Sequence, residues 1–209
     1  MKSRYSQWES EDIWKGVVAG MAAGFVGALA MNGFQKAWSK VTEASQHERE
    51  GENPQRSGGS GEQPKSDDAT MKAANRIAKA VLNRELSHEE KEKAGPIVHY
   101  SFGALTGALY GGLAEVLPLT TVGQGTAFSS ALWLFGDEIA VPALGLSGSP
   151  LKAPISSHAY AWASHLVYGF TTEWARRGTR IMLADRHSRL SEIPKAATSR
   201  NRHRQERAA

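Results

Sequence analysis

Cysteine is absent from the 209 residues, which excludes disulfides, thiolate metal sites and cysteine nucleophiles and leaves the redox compartment unmarked. No HExxH or similarly spaced ligand pair is present, so the sequence names no reaction and no substrate. Charge is scarce in a more telling way. Asp, Glu, Lys and Arg make up 22% of the chain, an ordinary share for a soluble domain, yet they are almost missing from four long windows and crowded into the segments between.

The first window, GVVAGMAAGFVGALAMNGF at 16–34, has nineteen residues and no charge, close to the roughly 20 needed to cross a ~30 Å hydrocarbon core. The second, PIVHYSFGALTGALYGGLA at 96–114, holds no Asp, Glu, Lys or Arg. The third, at 120–146, is interrupted only by Asp137 and Glu138, and the fourth, at 153–172, carries His158 and His165 and no full charge. Four such windows predict an all-α fold, an integral membrane four-helix bundle with a long polar connection between spans 1 and 2. Ala28-Leu29-Ala30 has the small-residue form of a signal-peptide cleavage site, but Glu9, Glu11 and Asp12 ahead of the first window are atypical of a signal sequence.

The net charge of +4 is localised. From Trp174 to Ala209 there are ten Lys/Arg against three Asp/Glu, leaving fifteen against eighteen elsewhere. Arg176, Arg177 and Arg180 directly follow the fourth window, so the bias of basic residues towards the cytoplasm puts the C-terminus, and with four spans the N-terminus, inside. Residues 1–15 are then a cytoplasmic N-terminus, 16–177 the membrane domain, and 178–209 a basic cytoplasmic tail expected to be disordered. The connection 35–95 lies outside, with eleven Lys/Arg balancing eleven Asp/Glu. Within it, 47–68 is polar and rich in Gly, Ser and Pro and is expected to be disordered. At 69–86, Met71, Ala74, Ile77, Ala78, Val81 and Leu82 recur at helical spacing opposite Lys72, Arg76 and Lys79, an amphipathic helix for an anionic membrane surface or for the rim of the bundle. Ser87 and Glu90 have capping-box spacing and restart a helix.

Gly16, Gly20 and Gly24 recur every four residues, as do Gly103, Gly107 and Gly111. Each is a glycine ladder that lets two backbones approach where lipid supplies no hydrophobic drive. The fourth window carries one face of His158, Trp162, His165, Gly169 and Thr172. The third has a face of Thr126, Ser130, Trp133 and Asp137, which favours Asp137 pointing inward. Tyr110-Gly111 with Glu115 is echoed by Tyr168-Gly169 with Glu173.

The glycine-rich first window, AGPIVHYSFGALTGALYG followed by AEVLP, GDEIAVPALGLSGSP, and SSHAYAWASHLVYGFTTEWARR together resemble the YagU family of bacterial inner-membrane proteins, over about 16–177. The resemblance implies a multi-pass inner-membrane protein in a family without an assigned activity, so it lends no catalytic residues.

At ~1.5 Å per residue, Asn32, His99, Asp137, Glu138 and His158 all fall near the outer edge of the bilayer, one layer drawn from all four spans. Glu115, Glu173, Lys15, Arg176 and Arg177 form an inner layer of ion pairs, and His165 sits alone near the middle. Pro142 removes an amide and crowds the carbonyl four residues back, so it breaks the third helix at Glu138, as the discontinuous helices of transporters are broken. The leading expectation is a non-enzymatic membrane protein whose outer layer responds to pH through its histidines. Alternatives are a proton- or ion-coupled transporter or channel acting as a homo-oligomer, and a membrane metalloenzyme using two histidines and two acids. No cofactor and no nucleic acid is implied. The expected partners are the bilayer, anionic lipid at the basic tail and a second copy of the chain.

Overall fold

The computed structural model describes the backbone of residues 5–52 and 67–206, with side chains over 12–44 and 67–182. Among the described residues there is no strand. The chain runs as α1 (Tyr5–Glu52), α2 (Ala69–Leu82), α3 (His88–Val116), α4 (Thr126–Leu132), a π-helix (Trp133–Ala140), the single turn α5 (Val141–Ala143) and α6 (Ile155–Glu206). One helix is long and apolar enough to cross a membrane by length and composition, Asp12–Ala44 within α1. In the third apolar window α4, the π-helix and α5 follow one another without a gap, so one helix with a π segment runs over 126–143.

Local chemistry sets the boundaries. Asp68 caps α2 by accepting from the Met71 amide at 2.8 Å, and Asn83, in the left-handed region at φ 52, ends it, four residues short of the sequence expectation. The capping box of α3 is formed as its spacing predicts, with Glu90 N–H on Ser87 Oγ and the Ser87 amide on Glu90 Oε2. Gly123, Gln124 and Gly125 follow one another at φ 63, 60 and 86, turning the chain back into α4. Gly125 has a second reason to lack a side chain, since an added Cβ would lie 2.5 Å from the Gly169 carbonyl oxygen.

Three segments have bounds of their own. The run 47–68 begins in helix, because α1 continues to Glu52, and it ends in order, where Asp67 pairs with Lys91 at 2.8 Å and Asp68 caps α2; residues 53–66 lie outside the described ones. The third helix starts at Thr126 rather than at 120, since Pro118 and the left-handed turn occupy the residues before it. The basic tail is helical to Glu206, continuing α6 without a break.

The core is built from backbone. An added Cβ on Gly20 would overlap the Gly107 carbonyl and stand 2.7 Å from Gly111 Cα; one on Gly24 would overlap the Gly103 carbonyl and stand 2.7 Å from Gly107 Cα. The ladders of α1 and α3 therefore face each other in antiparallel register. Buried apolar residues are mostly alanine, with Met31, Tyr110, Leu146 and Tyr168 the large ones. The large apolar side chains point the other way. Trp14, Val18, Met21, Phe25 and Leu29 on α1, and Phe102, Leu105 and Leu109 on α3, form outward stripes at spacings of three and four, Trp14 being 66% and Leu105 64% exposed. The buried set includes Thr106, Ser129, Ser164, His165, Thr172, Glu173 and Arg176. A water-soluble bundle has the opposite arrangement.

α2 packs through Ala74 and Ala78, and Met71 and Thr70 sit against Gly95 of α3. Arg76 reaches the Leu144 carbonyl beyond the π-helix, so α2 belongs to the rim of the bundle, leaving Ile77 and Val81 exposed.

Two outcomes test this fold. Gly107→Leu should destabilise the protein by about 1–3 kcal/mol or more, as overpacking against immovable backbone does, whereas Gly33→Ala, with open space around it, should be neutral or gain up to ~1 kcal/mol; unfolding in mixed micelles reads both. Arg84 and then the Ser87 amide hold the Glu90 carboxyl down from 4.5 to about 2. Its contribution to the α2–α3 corner is therefore complete above pH 4.5 and lost as pH falls through about 2. A carboxyl resonance of Glu90 titrating at an ordinary value would contradict that contact.

Candidate functional site

Two polar clusters lie at opposite ends of the bundle. The upper one centres on the π-helix. In a π-helix the amide bonds to the carbonyl five residues back, and the Val141 amide indeed reaches Gly136 O. Pro142, which has no amide to give, follows at once. The predicted break is thus present as a wide turn over Trp133–Ala140 rather than as a helix end, a form that π segments often take at functional positions.

The wide turn gives both acids a partner on α6. Glu138 Oε1 lies 2.8 Å from His158 Nδ1, and His158 Nε2 lies 3.1 Å from the Pro150 carbonyl. Asp137 Oδ2 lies 3.8 Å from His165 Nε2, while His165 Nδ1 lies 2.9 Å from the Ala161 carbonyl. His158 therefore has an oxygen acceptor at both nitrogens, whereas the Asp137–His165 approach is an ion-pair distance beyond hydrogen-bond reach. A neutral imidazole owns one N–H. Both His158 contacts are satisfied only if the Glu138–His158 pair carries an extra proton, as imidazolium with carboxylate or as imidazole with carboxylic acid.

The five residues expected to form one layer divide among three places. Glu138 and His158 meet and line an open cleft of about 400 Å³ with Pro150, Leu151, Ala153 and Ile155. Asp137 pairs with His165, which is not solitary. His99 lies within electrostatic range of both Asp137 and His165, and its Nε2 is buried without a hydrogen-bond partner among the described residues. Asn32 does not join the acids; its amide donates to Tyr100 Oη at 2.5 Å. Asp137 faces the buried His165 as expected, with a side chain 46% exposed, and Glu138, 17% exposed, is turned onto α6 as well. Among the described residues no three His, Asp or Glu gather as metal ligands.

The lower cluster is tighter. Glu173 is fully buried. It accepts from Tyr110 Oη at 2.9 Å, from Arg176 Nε at 2.8 Å and from Arg177 Nε at 2.6 Å. Arg176 continues to Glu115 at 3.1 Å and stands 5.9 Å over the Tyr110 ring, while Arg180 joins Glu115 at 3.0 Å and Asp12 at 3.5 Å. The arginines that follow the fourth window are internal counter-ions that tie α1, α3 and α6 together. The ladder makes room for them: an added Cβ on Gly16 would overlap Glu115 Cγ.

Between the clusters Tyr168 Oη donates to the Gly103 carbonyl at 2.7 Å and lies 2.9 Å from Thr106 Oγ1. Sequence reasoning gave Tyr110 and Tyr168 no role, although the Tyr-Gly…Glu echo marks them. The two copies of that echo bond to each other, Tyr110 of one to Glu173 of the other. The two polar stripes also meet: Trp162 Nε1 donates to Ser130 Oγ at 3.0 Å.

Residues 70–174 match the family described as "Protein of unknown function (DUF1440)", a stretch that includes α2, α3, the π-helix and the part of α6 bearing His158, His165 and Glu173. No curated protein and no solved structure matches the chain.

Removing the Glu173 charge alone should be costly. Glu173→Gln keeps the shape but leaves two guanidiniums without their carboxylate, an expected loss of about 3–5 kcal/mol; Arg177→Ala, at a half-exposed side chain, should cost no more than ~1 kcal/mol. Equal losses in a detergent unfolding titration would contradict this network.

Proposed function

The chain belongs to the DUF1440 family of proteins of unknown function, and from that premise we propose that it is a non-enzymatic multi-pass membrane protein whose helix packing near one face follows the protonation of two carboxylate–imidazole pairs. The observation that carries the membrane part is the reversed polarity of the bundle, with large apolar side chains outward and charges, hydroxyls and glycines inward. Outward apolar stripes on successive helices need a covering, and hydrocarbon is the covering that also explains a core of alanine and glycine. Trp14 and Trp38 are both exposed near the ends of the apolar part of α1; their separation of 24 residues is ~36 Å along the helix, which places both rings at the headgroup level of a ~30 Å core. The resemblance to the YagU family supports the bacterial inner membrane, with both termini in the cytoplasm, and the basic tail favours anionic lipid there.

The pH-dependent part rests on the donor count at His158, with the Asp137–His165 ion pair beside it. The titratable and charged groups around the pairs are Asp137 and Glu138 from the π-helix, His158 and His165 from α6, His99 from α3, Asp68 at the start of α2 and Lys152 in the adjoining turn. Loss of the extra proton sets an imidazole lone pair against a carboxylate, and the π-helix then gives up its hold on α6. Imidazoles change charge between about pH 5 and 8. A second reading, a proton- or ion-coupled transporter working as an oligomer, is favoured by the cleft beside Glu138 at a broken helix.

Trp133 and Trp162 report on this contact. Tryptophan emission of the purified protein in micelles should shift between about pH 5 and 8, and His158→Ala with His165→Ala should abolish the shift. An unchanged transition in the double variant would sink the proposal.

A further inference from the structure

We propose that the inward polar face of α6 is a path for protons running through the bundle from one face of the bilayer to the other. The path deepens the membrane reading given above and rests on it.

The groups stand in rungs. At the top Glu138 and His158 open onto the cleft. One residue along the π-helix, Asp137 faces His165, with His99 beside them. One turn lower, Thr106 and Tyr168 share a hydrogen bond. A further turn lower, Tyr110 donates to Glu173, and Arg177, half exposed, connects Glu173 to the lower surface. From His158 to Arg180 is 22 residues, or ~33 Å at the helical rise, the thickness of a hydrocarbon core. Below the first pair, the hydroxyls and imidazole at its centre are buried.

Helix packing alone does not account for this row. Buried polar groups in lipid are costly and are held where they serve a pathway or relay. The packing of α6 against α4 is already supplied by the close approach of Gly169 to Gly125 and Ser129. Two atoms along the row, His99 Nε2 and Thr172 Oγ1, are buried without a hydrogen-bond partner among the described residues. They lie along a row of four rungs whose three intervals no direct hydrogen bond crosses, and each is a place where a water can join one rung to the next.

The transfer balances simply. A proton enters at the Glu138–His158 pair and passes to Asp137 and His165. Each hydroxyl then accepts a proton on a lone pair, releases its own to the next acceptor and turns back. Glu173 receives the last proton and yields it to water beside Arg177. One proton crosses, and only O–H and N–H bonds form and break. Sodium and potassium ions cannot be handed from one O–H or N–H group to the next, so a path of this kind is selective for protons.

The test uses the full chain in sealed phosphatidylethanolamine–phosphatidylglycerol vesicles enclosing a pH-sensitive dye, with valinomycin and a potassium gradient setting the potential. The vesicles should acidify faster than protein-free ones when the interior is negative, and a sodium gradient in place of the proton driving force should carry no current. Tyr168→Phe, which keeps the ring, should slow the flux about tenfold or more, the size of effect expected from losing one hydrogen-bonded group; Tyr160→Phe, in the aromatic cluster with Phe34 and Trp38, should not. Thr106→Val is the second variant, to be used where Tyr168→Phe elutes or unfolds unlike the parent, and should slow the flux similarly. A wild-type rate equal to that of empty vesicles, or an unaltered rate in folded Tyr168→Phe or Thr106→Val, overturns the path. If the tryptophan transition between pH 5 and 8 persists in that protein, the protonation reading stands without it.

Discussion

The contact between α1 and α3 is made by main chain on main chain, and the remaining architecture follows from it. With Gly20 and Gly24 against Gly107 and Gly103, the two helices touch without intervening side chains, so the interior has no volume for large apolar groups. What fits is alanine, and beside it the narrow polar groups of α6: the Tyr168 hydroxyl on the Gly103 carbonyl and the Thr172 side chain against Gly27. Close approach also brings Glu115 over Gly16, within reach of Arg176 and Arg180. The bulky residues are left on the outside. The inverted polarity of the bundle is therefore a geometric result of two glycine rows.

Much of this was legible in the sequence, and the part that was not has a physical cause. The ladders, the Ser87 capping box, the disturbance ahead of Pro142 and the two facing stripes on the third and fourth windows follow from spacing alone, because spacing fixes which residues share a helix face. Pairing across helices does not. His165 looked solitary because its partner, Asp137, is turned towards it only by the π-helix, and a surplus residue per turn cannot be read from residue identity. Depth along the helices groups Arg176 and Arg177 with Glu115 and Glu173, but it does not say that Glu173 takes both arginines while Arg176 also reaches Glu115. Depth estimates for the third helix suffered from the turn at Gly123–Gly125, which delays the helix to Thr126.

The two clusters differ in kind. At the lower end, one buried carboxylate is surrounded by two guanidiniums and a phenol, and every donor has a place to go. At the upper end, the His158 imidazole is held between the Pro150 carbonyl and the Glu138 carboxylate, an arrangement complete only with a shared proton. In the first, the arginines keep their charge over the physiological range. The second changes its bonding with a single proton.

α6 runs through both. From His158 to Arg180 it is uninterrupted helix, and a helix bends sharply only where its ladder of hydrogen bonds is broken. It is gripped in between by the seat of Gly169 on Gly125 and Ser129, where an added Cβ would come within 2.6 Å of Ser129 Cβ. Mechanically this is a beam on a fulcrum. A displacement of its upper arm, where the imidazoles are, must appear with opposite sense in its lower arm, where the arginines are, so torque applied by one proton at the top is felt as leverage on a salt-bridged end more than 20 Å away.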